Sequence, residues 1–212
     1  MKVREVMTSA RLATARPWDT LPLAAQLMVW SNARHLPVVR DGHVVGVVSQ
    51  RDLLGHDRLH GTGTTPATVA DVMHSPAITA DADAPLSSAV SLMFEHKLGC
   101  LPVLRAGTLV GILTTTDLLR HMLDAVLAGP AARSPRTVRA FMNPVPEGIT
   151  AAAELVDSAA LIVRADAPLT TAVAELLNQN VGVLPVVGED GRLVGTLSYP
   201  DLIRALQESA PP

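Results

Sequence analysis

Residues 35–54 read HLPVVRDGHVVGVVSQRDLL, residues 100–119 read CLPVLRAGTLVGILTTTDLL, and residues 183–203 read VLPVVGEDGRLVGTLSYPDLI. Aligned on Leu-Pro-Val, the first two stand 65 residues apart. The second and third stand 83 apart, rising to 84 because the third turn carries one extra residue. Each stretch opens on a short apolar run such as Pro37-Val38-Val39. A turn follows with glycine at its end: Asp41-Gly42, Ala106-Gly107 and Asp190-Gly191. A second apolar run then begins, as in Val44 to Val48. Two such runs around a short glycine-containing turn predict a β-hairpin. Glycine recurs inside the second strand at Gly46, Gly111 and Gly195. A missing side chain there marks the close approach of another backbone or of a ligand.

The hairpin closes on a Ser or Thr three residues before an Asp, and an apolar helical stretch follows, as in Asp117 to Leu123. Upstream, Thr20 to Met28, Pro85 to Met93 and Pro168 to Leu177 each read as one amphipathic helix, with Asp19, Asp83 and Asp166 at the expected N-caps. A strand-like piece precedes each helix, at Arg11 to Ala15, Ala77 to Ala80 and Ala160 to Arg164. Val6-Met7, Val72-Met73 and Phe141-Met142 mark lead-in segments. Each copy is therefore expected to run strand, helix, strand, strand, helix. The copies span 1–57, 67–127 and 138–208, the last with an insertion near 145–158 in which Ala151 to Val156 has room for a helical turn or two. His56 to Pro66 and Ala128 to Thr137 read as linking loops.

Composition excludes several classes. Hydrophobic residues make up 48% of the 212, enough for a packed core, while aromatics at 2% leave no stacking platform for single-stranded nucleic acid. The net charge of −3 and the lack of a basic run argue against a phosphate backbone as partner. Lys2 and Lys97 are the only lysines, and this arginine-heavy usage suggests a GC-rich bacterial genome. No apolar run approaches the ~20 residues that span a bilayer, and the N-terminus lacks an apolar signal core, so a cytoplasmic protein is expected. Cys100, the single cysteine, stands in an apolar strand start and reads as a buried inert thiol. His56 and His60 have the spacing of metal ligands on a helix, but their Gly/Thr-rich surroundings favour a solvated loop. Trp18 and Trp30 flank one helix and read as core or interface contacts. No nucleophile–base pair and no Walker loop is visible, so no enzyme is expected.

Taken together, the order of elements, the Leu-Pro-Val strand, the Val-Gly strand and the closing Ser/Thr-x-x-Asp resemble cystathionine-β-synthase-type (CBS) domains. The resemblance covers nearly the whole chain. It implies an α/β fold of tandem CBS repeats, two of them pairing about a pseudo-twofold axis as a Bateman module, with adenine ligands in the clefts between repeats.

Two readings of the Ser/Thr-x-x-Asp element stand side by side. In one, Ser or Thr caps the helix and Asp at the third position completes a capping box. In the other, the free N–H groups and hydroxyl face a phosphate, and the Asp accepts both hydroxyls of a ribose diol. The resemblance implies the second, with Asp52, Asp117 and Asp201 at ribose and Ser49, Thr114 and Ser198 near phosphate. Arg51 adds a phosphate partner in the first copy, where Thr116 and Pro200 are the uncharged equivalents. Pro200 fits the first helical position and favours capping. Thr14 and Thr79 occupy first-strand positions suited to an adenine pocket, with Val163 as the third-copy equivalent. His35 either touches a ligand edge or packs at the strand start. The expected function is a regulatory module that senses AMP, ADP, ATP or an S-adenosyl-type ligand and controls a separate effector, with no required cofactor or metal. The alternative is a ligand-free homo-oligomeric scaffold. The odd repeat count leaves the third copy unpartnered and predicts a homodimer.

Overall fold

Each hairpin forms where its sequence places it. In a computed structural model that describes residues 1–10, 12–59, 67–128, 137–144, 161–179 and 181–202, β1 (His35–Arg40) pairs antiparallel with β2 (His43–Ser49). The turn residues Asp41 and Gly42 both have positive φ, 50° and 78°, as a two-residue type I′ turn requires. β4 (Cys100–Arg105) and β5 (Thr108–Thr114) repeat this, with Ala106 at φ 49° where Asp41 stands in the first copy. In the third copy β8 (Val183–Val187) and β9 (Leu193–Ser198) flank the longer turn. The Gly188 N–H donates to the Arg192 carbonyl at 2.8 Å, and Gly191 takes φ 77°. The extra residue thus makes a three-residue loop with glycine at its left-handed position.

The chain divides into two units, Met1–Thr114 and Thr115–Pro212. In the first, α1 (Leu21–Ser31) buries Leu21, Ala24 and Met28 on the sheet of β1 and β2, together with Leu36, Val38, Val48 and Leu53. Leu53 lies on α2 (Gln50–Leu59) and Val69, in the same core, on α3 (Val69–Val72). β3 (Ala80–Asp81) runs parallel to β4, and α4 (Leu86–Glu95) buries Leu86, Ala89 and Met93. In the second unit, α5 (Thr115–Ala128) packs against α6 (Leu169–Asn178). β6 (Asn143–Pro144), β9, β8 and β7 (Val163–Arg164) form a four-stranded sheet in that order. Leu176, Leu184, Val186, Leu197 and Leu202 are the centre of its core. No helix among the described residues is long and apolar enough to cross a membrane.

Several local expectations need correction. The aspartates do not cap their helices: the N-caps are Thr20, Pro85 and Pro168. Asp19 instead accepts from the Arg16 N–H at 2.8 Å, Asp83 meets Lys2, Arg4 and Arg105, and Asp166 forms a two-point pair with Arg164. The helices begin one or more residues later because Thr20 and the two prolines already hold the extended backbone of a cap. The linker expected from His56 is helical through Leu59, since Gly55 faces open space within α2 and one glycine costs a helix only about 1 kcal/mol. His60 and the 145–158 insertion, with Ala151 to Val156, lie outside the described residues. The first strands are shorter than expected, reduced in the first copy to a single parallel bridge between Ala15 and Val38. Trp18 and Trp30 are not core residues, for both are more than half exposed.

Candidate functional site

The strand glycines are filled by backbone, and the source of that backbone differs between copies. A β-carbon on Gly46 would lie 2.8 Å from the His74 carbonyl, and one on Gly111 would lie 2.9 Å from the Thr8 carbonyl. The lead-in of the second copy therefore lies on the sheet of the first, and that of the first copy lies on the sheet of the second. Backbone bonds Val47 N to His74 O (3.0 Å) and Ile112 N to Thr8 O (2.9 Å) lock both. The far ends match: Lys2 bridges to Pro85, and Thr20 to Thr68. This reciprocity is the pseudo-twofold relation of the pair. A β-carbon on Gly195 would strike the Asn143 carbonyl, so the third copy is covered by its own lead-in.

The Ser49–Asp52 element sits where β2 ends and α2 begins. Asp52 Oδ2 accepts the Ser49 N–H at 2.7 Å and the Ser49 hydroxyl at 2.6 Å, and Asp52 N–H faces Ser49 Oγ at 3.3 Å. The capping box is complete. Its other oxygen, Oδ1, lies 3.1 Å from His74 Nε2. A carboxylate only accepts, so Nε2 carries the hydrogen. His74 was not singled out from the sequence. Its signal is its place directly after the Val-Met of the second lead-in, which becomes meaningful only once the exchange is known.

The third copy repeats this pattern. Asp201 Oδ2 accepts from the Ser198 N–H at 2.8 Å and from its hydroxyl, and Asp201 Oδ1 accepts from Asn143 Nδ2 at 2.6 Å. Asp201 is buried. Pro200 falls at the second residue of the helix that starts at 199, not the first. In the second copy Thr114 is half-buried at the end of β5, and Asp117 is buried in the first turn of α5.

The remaining expected residues divide between sheet end and surface. Arg51 is exposed in the first turn of α2. Thr14 is exposed and Thr79 half-buried, each one residue before the position that pairs with the centre of the hairpin strand. Ala15, Ala80 and Val163 are the true equivalents, pairing with Val38, Val103 and Val186. The third-copy counterpart of the two threonines is therefore Ile162, not Val163, because the one-residue shift enters only at the later turn. His35 pairs across the hairpin with Ser49, and its ring lies against Gly99 so closely that a β-carbon there would come within 2.7 Å of Nε2. Burial first, then Arg34 and Arg51, lowers the His35 pKa to about 4, against the pull of Asp52. It is a neutral, packed ring at neutral pH. Cys100 is buried, and burial raises its thiol pKa to about 12. Among the described residues no buried side-chain nitrogen or oxygen lacks a partner, and no cluster of three or more His, Cys, Asp or Glu is arranged to hold a metal.

Comparison with known proteins finds the same repeat three times. The CBS domain model matches at residues 3–58, 69–124 and 152–208. The chain belongs to the CBS domain family. A curated relative, the CBS domain-containing protein YhcV of Bacillus subtilis, is 32% identical over 130 residues, which cover 61% of this chain and 91% of that protein. Among solved structures, CBSX2 in complex with AMP is 32% identical with a TM-score of 0.52, covering 58% of this chain and 96% of CBSX2. MJ1225 of Methanocaldococcus jannaschii, described as a putative archaeal homolog of g-AMPK, shares the fold over 97% of this chain and 100% of its own, with a TM-score of 0.76 at 17% identity. The CBS architecture of tandem α/β repeats, two of them paired as a Bateman module, thus holds for this chain.

Proposed function

We propose that this CBS protein is a ligand-sensing regulatory module that takes an adenosyl ligand at the Ser/Thr-x-x-Asp elements and controls a separate effector. The carrying observation is the half-buried Asp52 carboxylate at the open start of α2, with Ser49 at the helix N-terminus and Arg51 one residue away. A helix N-terminus favours phosphate, and a carboxylate can accept a ribose diol. Thr14 and Thr79 take the adenine side, and the third copy, with Ile162, is the weaker site. The likeness to AMP-bound CBSX2 supports AMP as the first ligand to test, with ADP, ATP and S-adenosylmethionine beside it. Binding would shift the populations of conformations or assemblies rather than drive catalysis.

The test is isothermal titration of the full chain. AMP or a related adenosyl compound binds at millimolar concentration or below, and Asp52→Ala weakens binding about tenfold or more, since a hydrogen bond to a charged group contributes about 1.5–3 kcal/mol. No binding by any of these compounds sinks this reading.

A second reading has its own observation. The Ser49–Asp52 capping box is complete within the chain itself, and α1 presents Leu23, Val29 and Trp30 to solvent. An assembly scaffold that forms homodimers would use both features. A dimer whose melting is insensitive to nucleotide would favour it.

A further inference from the structure

We infer that His74 is a built-in competitor for the ligand at Asp52, so that a ribose diol must displace the lead-in histidine of the second copy before both its hydroxyls are held. The inference rests on Asp52 being the diol acceptor. It follows from acceptor capacity. A carboxylate offers about four lone-pair positions. Ser49 fills two on Oδ2, and His74 fills one on Oδ1. One remains, enough for a single hydroxyl but not for a diol.

One of the three present bonds must therefore yield, and they are not equally held. The Ser49 pair is local, three residues apart, part-buried, and anchored by the backbone start of α2. The His74 side chain is 81% exposed and reaches Asp52 through one contact at 3.1 Å. Solvent can replace that contact at little cost, whereas breaking the cap would leave the part-buried Ser49 N–H without that partner. His74 is the group that leaves. Its backbone stays in place through the two bonds to Val47, so the released ring remains beside the carboxylate. His74 belongs by sequence to the second repeat, and occupancy of the first repeat's carboxylate is thereby registered on a segment of the other repeat. The role is that of a specificity-determining residue: it costs ligands that carry both hydroxyls more than those that carry one.

The experiment is titration of the full chain and its His74→Ala and Asp52→Ala variants with AMP and with 2′-deoxy-AMP. His74→Ala removes an exposed side chain, and an unchanged melting temperature confirms that the fold is kept. The expected result is about a two- to tenfold gain in AMP affinity in His74→Ala, and little or no gain for 2′-deoxy-AMP. Binding of AMP that appears only in His74→Ala supports the inference equally. An unchanged or weaker AMP affinity in His74→Ala, with Asp52→Ala still weakening it, overturns the inference and leaves the proposed function standing. An equal gain for both nucleotides overturns it too, since the diol would then play no part. If Asp52→Ala leaves AMP binding intact, or no variant binds AMP, the inference falls, and the proposed function falls with it only when ADP, ATP and S-adenosylmethionine also fail to bind the parent chain.

Discussion

The first two repeats lend each other their lead-ins, whereas the third keeps its own. The difference lies in the length of one connection. Parallel strands in one sheet need a crossover of a dozen or more residues. In the third copy, β6 and β7 lie in one sheet and run parallel, with residues 145–162 between them. In the first two copies only residues 9–14 and 75–79 separate the lead-in from the first-strand position. A connection that short does not return to the same sheet, and each lead-in goes to the neighbouring repeat. The pair becomes interdependent, and the strand glycine of the third copy is covered by that copy's own lead-in.

Shortening the third connection should have the largest effect. Deleting residues 146–158 leaves a spacing like that of the first two copies. The expected outcome is exchange of Val138–Pro144 with a second chain, read as a doubling of mass relative to the parent by light scattering. A deletion variant with the parent's mass and stability would show that connection length does not decide the exchange.

A smaller effect separates the copies through their glycines. Gly46→Ala and Gly195→Ala each push a carbonyl off the sheet, at about 1–3 kcal/mol for overpacking. Amide hydrogen exchange distinguishes them. Gly46→Ala should loosen residues of both the first and second copies, including Val47 and His74, and Gly195→Ala only those of the third. Loosening of a single copy by Gly46→Ala would contradict the exchange.

The last effect is pH-dependent and arises in the first unit. His35 has a pKa of about 4 in the folded chain against an ordinary 6.5, because burial disfavours its charge. The unfolded chain therefore takes up a proton first as pH falls below 6.5, and stability is lost between that value and about 4. The loss should approach ~1 kcal/mol per pH unit in denaturant melts, and His35→Gln should flatten it. Val183, the third-copy equivalent, has no such dependence. A slope unchanged in His35→Gln would assign the acid sensitivity elsewhere.

The hairpins and repeat count were legible because the turn glycines and the strand patterns are local. Positive φ at Gly42, Gly107 and Gly191 is a property of a few neighbouring residues, as is the Ser49–Asp52 box. The destinations of the lead-ins were not legible from motifs, since Thr8, His74 and Asn143 share no residue type. What they share is position: each stands on a strand glycine far away in sequence. The aspartates misread as caps illustrate a nearer ambiguity. Asp19 accepts from the Arg16 N–H at 2.8 Å and turns the chain before Thr20, so an acidic residue ahead of a helix served a turn rather than the helix.

The reciprocal lead-ins also set a timetable for synthesis. Met1 to Thr8 are made long before their seat on β5, which is not complete until residue 114 has been added. At about 5–20 residues per second, the first segment waits several seconds or more. The third copy waits about half as long, because its lead-in and the end of its sheet lie within about 60 residues of each other.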